Sequence, residues 1–98
     1  MNFNSIPERY LDDIKKATNL LKNEGCKSVF LFGSMVTGKI HENSDIDIGI
    51  KGLPPEFFFK AYSKLYMNLS NEIDLVDFDM DNEFYNLLER LGEVVEIE

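Results

Sequence analysis

Two aspartates, Asp45 and Asp47, stand where carboxylates could do chemistry. In the run Ser44 to Lys51 (SDIDIGIK) they alternate with Ile46, Ile48 and Ile50, the pattern of a half-buried strand with one apolar and one acidic face. Side chains at i and i+2 of a strand leave the same face roughly 7 Å apart and can converge on cations held between them. Two magnesium ions about 4 Å apart, sharing such carboxylates, would polarise a phosphate, activate an attacking hydroxyl and hold the departing oxygens. Spacing alone does not discriminate, because Asp77/Asp79 and Asp79/Asp81 repeat it.

The complementary feature is Gly33-Ser34, directly after the short aromatic and β-branched run Lys27 to Phe32 (KSVFLF). Glycine lets the backbone approach a phosphate closely, and the N–H groups that follow, with the Ser34 hydroxyl, can donate to its oxygens. If Ser34 opens a helical turn through Met35-Val36-Thr37, the positive end of that turn meets the phosphates, and Gly38 closes it.

These groups need elements to hold them. A helix is expected from Ile6 to Glu24, with Ser5 and Glu8 in capping-box spacing and Pro7 in the first turn. Its apolar stripe is Ile6, Tyr10, Ile14, Ala17 and Leu21, and Gly25 ends it. After the break at Gly52 to Pro55, a helix over Glu56 to Leu69 is expected with Phe58, Tyr62, Leu65 and Leu69 inward. Phe57, Phe59 and Tyr66 are left over and mark a candidate protein contact. Glu72 to Phe78 reads as a strand, Glu83 to Leu91 as a helix with Phe84, Leu87, Leu88 and Leu91 inward, and Val94 to Ile97 as a short closing strand. The expectation is one domain over residues 1–98 of α/β (α+β) class, a mixed sheet of three to four strands covered by helices. The Gly33 to Ser44 connection is too short for a parallel crossover helix.

Composition narrows the partners. A formal charge of −8, with only Arg9 and Arg90 as arginines and lysines scattered, argues against a polynucleotide partner, which lysine and arginine must neutralise. It leaves room for a small phosphate ligand brought by a divalent cation. No apolar run approaches the roughly 18 residues of a membrane span, and the N-terminus lacks the basic-then-apolar pattern of a secretory signal. Cys26 is the single cysteine and reads as a small buried hydrophobe. The setting expected is cytoplasmic.

The stretch LFGSMVTGKIHENSDIDIGI, with Gly-Ser, ten residues from Met35 to Ser44, then Asp-x-Asp, resembles the motif of the nucleotidyltransferases related to DNA polymerase β. The similarity is greatest to the minimal nucleotidyltransferases, small single domains that commonly serve as antitoxins beside a HEPN-type toxin. The resemblance implies that Gly33 and Ser34 bind the triphosphate of ATP or another NTP, and that Asp45 and Asp47 hold Mg²⁺, with two ions expected. It implies a third carboxylate on a later strand in an apolar-Asp-apolar-apolar context, which Ile73-Asp74-Leu75-Val76 matches. Asp74 would then bind metal and take the acceptor's proton. Asp77 is the rival, and period-2 alternation puts it on the opposite face from Asp74.

Many members of that family read Gly-Ser-Arg-Ala-Arg-Gly in the turn, where this chain has Met35 and Thr37. Lys39 and Lys51 are the candidate replacement cations, and His41 lies in the loop between the motifs. The expected activity is Mg-dependent transfer of AMP from ATP to a hydroxyl, a tyrosine of a cognate HEPN toxin by resemblance. The alternatives are an antitoxin that neutralises by binding without turnover, and a transferase acting on a small molecule.

Overall fold

The computed structural model describes residues 6–41 and 43–98. The elements run α1 (Glu8–Asn23), β1 (Ser28–Phe32), the short turn α2 (Ser34–Thr37), β2 (Ile46–Lys51), a 3₁₀ turn (Pro55–Phe57) leading into α3 (Phe58–Asn68), β3 (Ile73–Asp77), α4 (Asn82–Leu91) and β4 (Val94–Glu96). The four strands form one sheet in the order β3-β2-β1-β4. β1 is antiparallel to both β2 and β4, while β2 and β3 are parallel. The mixed sheet follows from the connections: the short loop after α2 reverses the chain, whereas α3 is a crossover helix long enough to return β3 parallel to β2.

Each strand shows two faces to two cores. Val29 and Leu31 of β1 join Ile46, Ile48 and Ile50 of β2 and the α1 stripe of Ile6, Tyr10, Ile14, Ala17 and Leu21 in the main core. The opposite face carries Phe30 and Phe32, which gather with Phe78 and Leu88 into a second, aromatic core under α4. Phe78 stacks with Phe30, Phe32, Phe84 and Tyr85 at centroid separations of 5.4, 5.5, 6.3 and 5.1 Å. Room for that ring comes from Gly49, because a Cβ there would run into it.

Several expectations shift by a fraction of a turn. Ser5 lies outside the described residues, and Pro7 is the N-cap of α1 rather than a member of its first turn, its carbonyl accepting from Tyr10 N and Leu11 N. Asp45 stands just before β2, since the ladder to β3 begins at Ile46. In α3 the residues buried against the sheet are Ala61 and Leu65, with Phe58 and Leu69 partly buried, while Tyr62 is 40% exposed. The small Ala61 lets the helix sit close, and the bulky Tyr62 stays on the rim. In α4 Leu88 is buried with Phe84 and Tyr85 against the aromatic core, whereas Leu87 and Leu91 face outward, since the aromatic rings already fill the space above the sheet. Cys26 is buried, and burial pushes its thiol up to about 11, the behaviour of a packing residue. No helix among the described residues is long and apolar enough to cross a membrane.

The packing of Phe78 on Gly49 makes a direct prediction. Gly49→Ala should lower stability by about 1–3 kcal/mol through overpacking, read as a fall in the denaturation midpoint. Combining it with Phe78→Leu should recover part of the loss, and strict additivity would count against the contact.

Candidate active site

Strand register brings the carboxylates together. Asp47 is the direct partner of Asp74 across the parallel β2-β3 ladder, and Ile46 N–H donates to the Glu72 carbonyl to tie the two strand starts at 2.9 Å. Residues level with one another in neighbouring strands share a face, so Asp74 lies beside Asp47. Asp77 pairs with Ile50 and lies on the main-core face, as the alternation required. Asp47 is half-buried, and its carboxyl is pushed up to about 6 by desolvation first, then by the charges of Asp74 and Asp45. Asp74 and Asp45 therefore both bear on Asp47.

The remaining aspartates of the same spacing have structural work. Asp77 Oδ1 accepts from Asp79 N at 2.9 Å, Asp79 Oδ2 accepts from Gly52 N at 2.7 Å, and Asp81 Oδ1 caps α4 by accepting from Phe84 N at 3.3 Å. They close turns, whereas Asp47 meets Asp74 of the neighbouring strand.

The Gly33-Ser34 turn reaches the same place. Phe32 pairs with Asp47 across β1-β2, so Gly33 follows immediately beside it. A Cβ on Gly33 would collide with Asp47 Oδ2, and φ of 71° is a second reason for glycine. Val36 N and Thr37 N both donate to the Gly33 carbonyl, and Gly38 N to the Ser34 carbonyl, forming the short turn anticipated from the sequence. The amides of Ser34 and Met35 begin that turn, where helical geometry gives them no acceptor within it. Met35 is 2% exposed in the main core, so the first arginine position of the related motif is here a packing position.

Of the candidate replacement cations, Lys51 is engaged elsewhere. Lys51 Nζ lies 3.6 Å from the Tyr85 ring centroid and 5.6 Å from that of Phe30. Four residues of strand separate it from Asp47, about 13 Å. Lys39 is exposed in the loop after α2. His41 is exposed as well, and its backbone is what the structure uses: the amide donates to Ser44 Oγ at 2.8 Å and the carbonyl accepts from the Tyr10 hydroxyl at 3.2 Å.

Among the described residues, no three His, Cys, Asp or Glu side chains are gathered into a group that could hold a metal ion. The donor chemistry still fits magnesium, a hard cation usually bound by one or two carboxylates together with substrate phosphates rather than by an all-protein cage. Asp47 beside Asp74 is such a pair, and their mutual repulsion is what a cation would relieve.

Sequence reasoning missed Asp13. It is 2% exposed, and its Oδ2 accepts from Ser70 N at 2.9 Å, Asn71 N at 2.7 Å and Asn71 Nδ2 at 2.8 Å. The available signal was its place between Tyr10 and Ala17, at helical spacing on the apolar stripe, where a carboxylate needs partners.

The mixed four-stranded sheet with its helices is a nucleotidyltransferase fold. Residues 15–94 match the family model "Polymerase beta, Nucleotidyltransferase", and the chain belongs to that family. Among solved structures it is similar to a toxin–antitoxin crystallised with AMP-PNP, at TM-score 0.67 and 26% identity over 86% of this chain and 71% of that one. It is also similar to a mutant of the toxin–antitoxin MntA-HpeT, at TM-score 0.55 and 30% identity over 66% of this chain and 56% of that one. No curated protein matches the chain.

The raised carboxyl sets a pH dependence. An acid whose folded-state pKa exceeds its unfolded value of 3.8 stabilises the fold fully below that pH, and the contribution is lost as pH rises through about 6. In chelator, Asp47→Asn should therefore raise the melting temperature at pH 7 to 8, by a gain on the order of 1 kcal/mol after discounting for solvent screening. The gain should vanish below pH 4; an equal gain at both pH values would contradict the repulsion.

Proposed function

We propose that this chain is the antitoxin of a toxin–antitoxin pair and transfers AMP from ATP to a tyrosine hydroxyl of a HEPN-type toxin. The observation that carries the reading is the pairing of Asp47 with Asp74 on adjoining parallel strands, with Gly33 pressed against the Asp47 carboxylate. Asp45, Asp47 and Asp74 are the residues that would hold Mg²⁺, two ions being expected. Bound there, the metal would neutralise triphosphate charge and lower the acceptor hydroxyl's pKa. The chain's own groups do the rest. Gly33 admits the triphosphate to the backbone, and the Ser34 hydroxyl and amide donate to its oxygens. Asp74 takes the proton of the acceptor hydroxyl, whose oxygen bonds to the α-phosphorus as the bond to the β-phosphate bridging oxygen breaks. Pyrophosphate leaves, and AMP remains on the acceptor.

The toxin contact is proposed for the outer side of α3. Phe59, Tyr66 and Met67 are 78, 79 and 80% exposed, and Phe57 is 44% exposed. That ridge is apolar surface of the kind that marks a protein interface. One observation favours a second reading, an antitoxin that acts by covering its toxin without turnover: Met35, at the first arginine position of the related motif, is buried in the core, and Lys51 is held over Tyr85.

The experiment is an intact-mass measurement on the co-expressed toxin after incubation with this protein, ATP and Mg²⁺. Gain of one or more AMP units, lost in Asp45→Asn/Asp47→Asn, is the expected result. Neutralisation that survives the double change without any mass gain selects the binding reading. Phe57→Ser/Phe59→Ser should abolish co-purification with the toxin, and unchanged co-purification would remove α3 from the interface.

A further inference from the structure

One turn of α1 holds both loops that deliver the carboxylates, and the proposed chemistry makes no use of its side chains. The Tyr10 hydroxyl donates to the His41 carbonyl, in the loop that leads through Ser44 to Asp45 and Asp47. Tyr10 is 1% exposed, and Arg9 lies over its ring at 4.7 Å, with Nη2 3.4 Å from the hydroxyl. One turn further along, the buried Asp13 carboxylate accepts the Ser70 and Asn71 amides and the Asn71 side-chain amide. Asn71 Nδ2 also donates to the Arg9 carbonyl at 3.0 Å, so this loop is tied to α1 at two levels just before Asp74. The Ile46 N–H to Glu72 carbonyl bond joins the two strand starts between these attachments.

We infer that Tyr10 and Asp13 are positioning residues: from one turn of α1 they set the height of the β2 start against the β3 start, and so hold Asp47 level with Asp74 and Asp45 just ahead of it. This rests on the reading of those aspartates as the metal–nucleotide site. The physical argument is leverage. A buried carboxylate with three N–H donors and a buried phenol bonded to a loop carbonyl are stiff contacts, and a shift of either loop changes the separation of charges that must share a cation. Groups that orient metal ligands without touching the metal act in this way. Both side chains are buried, at 1 and 2% exposure, so their effect is on the geometry of the site.

The test uses the full chain with Mn²⁺ as probe, its affinity in the presence of ATP read by water-proton relaxation, alongside melting temperature and amide hydrogen exchange at Ile46. Thr18→Val is the control: its hydroxyl donates to the Ile14 carbonyl within α1 and reaches neither loop. Tyr10→Phe and Asp13→Asn should weaken Mn²⁺ binding about 10-fold and speed exchange at Ile46. Thr18→Val should lower the melting temperature with affinity unchanged. Equal weakening by Thr18→Val at equal loss of stability, or wild-type affinity in Tyr10→Phe, would overturn the inference. Should Asp13→Asn fail to fold, Tyr10→Phe decides alone. Should the wild type bind no Mn²⁺, the metal–nucleotide reading fails, and exchange at Ile46 still decides the positioning: selective acceleration supports it, and no acceleration beyond that of Thr18→Val ends it.

Discussion

Two like charges placed side by side are the constraint around which this small protein is built. Asp47 and Asp74 occupy the same level of neighbouring parallel strands, with Asp45 near enough to add its repulsion. Left to themselves, such groups would separate. They are held by a ladder whose opposite face is largely apolar, with Ile46, Ile48, Ile50 and Leu75 buried in the main core. The hydrophobic burial on one side of the sheet thus offsets an electrostatic cost on the other.

The acidic face is itself divided. Towards β1 and the far end of β2 it is aromatic and covered by α4, with Phe78 lying on Gly49 and Phe30 alongside. Towards the start of β2 and β3 the cover stops, and the carboxylates are left half-open next to the Gly33 turn. Glycine recurs at both places for one steric reason: a Cβ at Gly49 would displace a ring, and a Cβ at Gly33 would displace the Asp47 carboxylate. A sheet of four strands can then carry a polar site and a second core on a single face.

Membership of the polymerase β-type nucleotidyltransferases agrees with this division, since carboxylate oxygens suit hard cations and backbone amides at a glycine turn suit phosphate. What sets this chain apart is the source of positive charge. Its turn has a buried methionine where many relatives carry arginine, and its nearest strand lysine is engaged with two aromatic rings.

The sequence by itself determined most of the elements and the candidate residues. Period-2 alternation separated Asp45 and Asp47 from the isoleucines, Gly33-Ser34 marked the end of a buried strand, and the ten-residue gap tied the two together. Parity also put Asp74 and Asp77 on opposite faces. Which of them joins Asp47 was decided only by the β2-β3 register, because register depends on how strands pair and not on either strand alone. Tertiary packing likewise set the phase of α3 and α4: Ala61 rather than Tyr62 meets the sheet, and Leu87 and Leu91 turn outward because rings from β1 and Phe78 already occupy the space. Helical periodicity names an apolar stripe but not the shape it must fit. The bonds from Tyr10 and Asp13 to loops 31 and more than 50 residues away were beyond any local pattern, since a side chain's long-range partner exists only once the chain has folded back on itself.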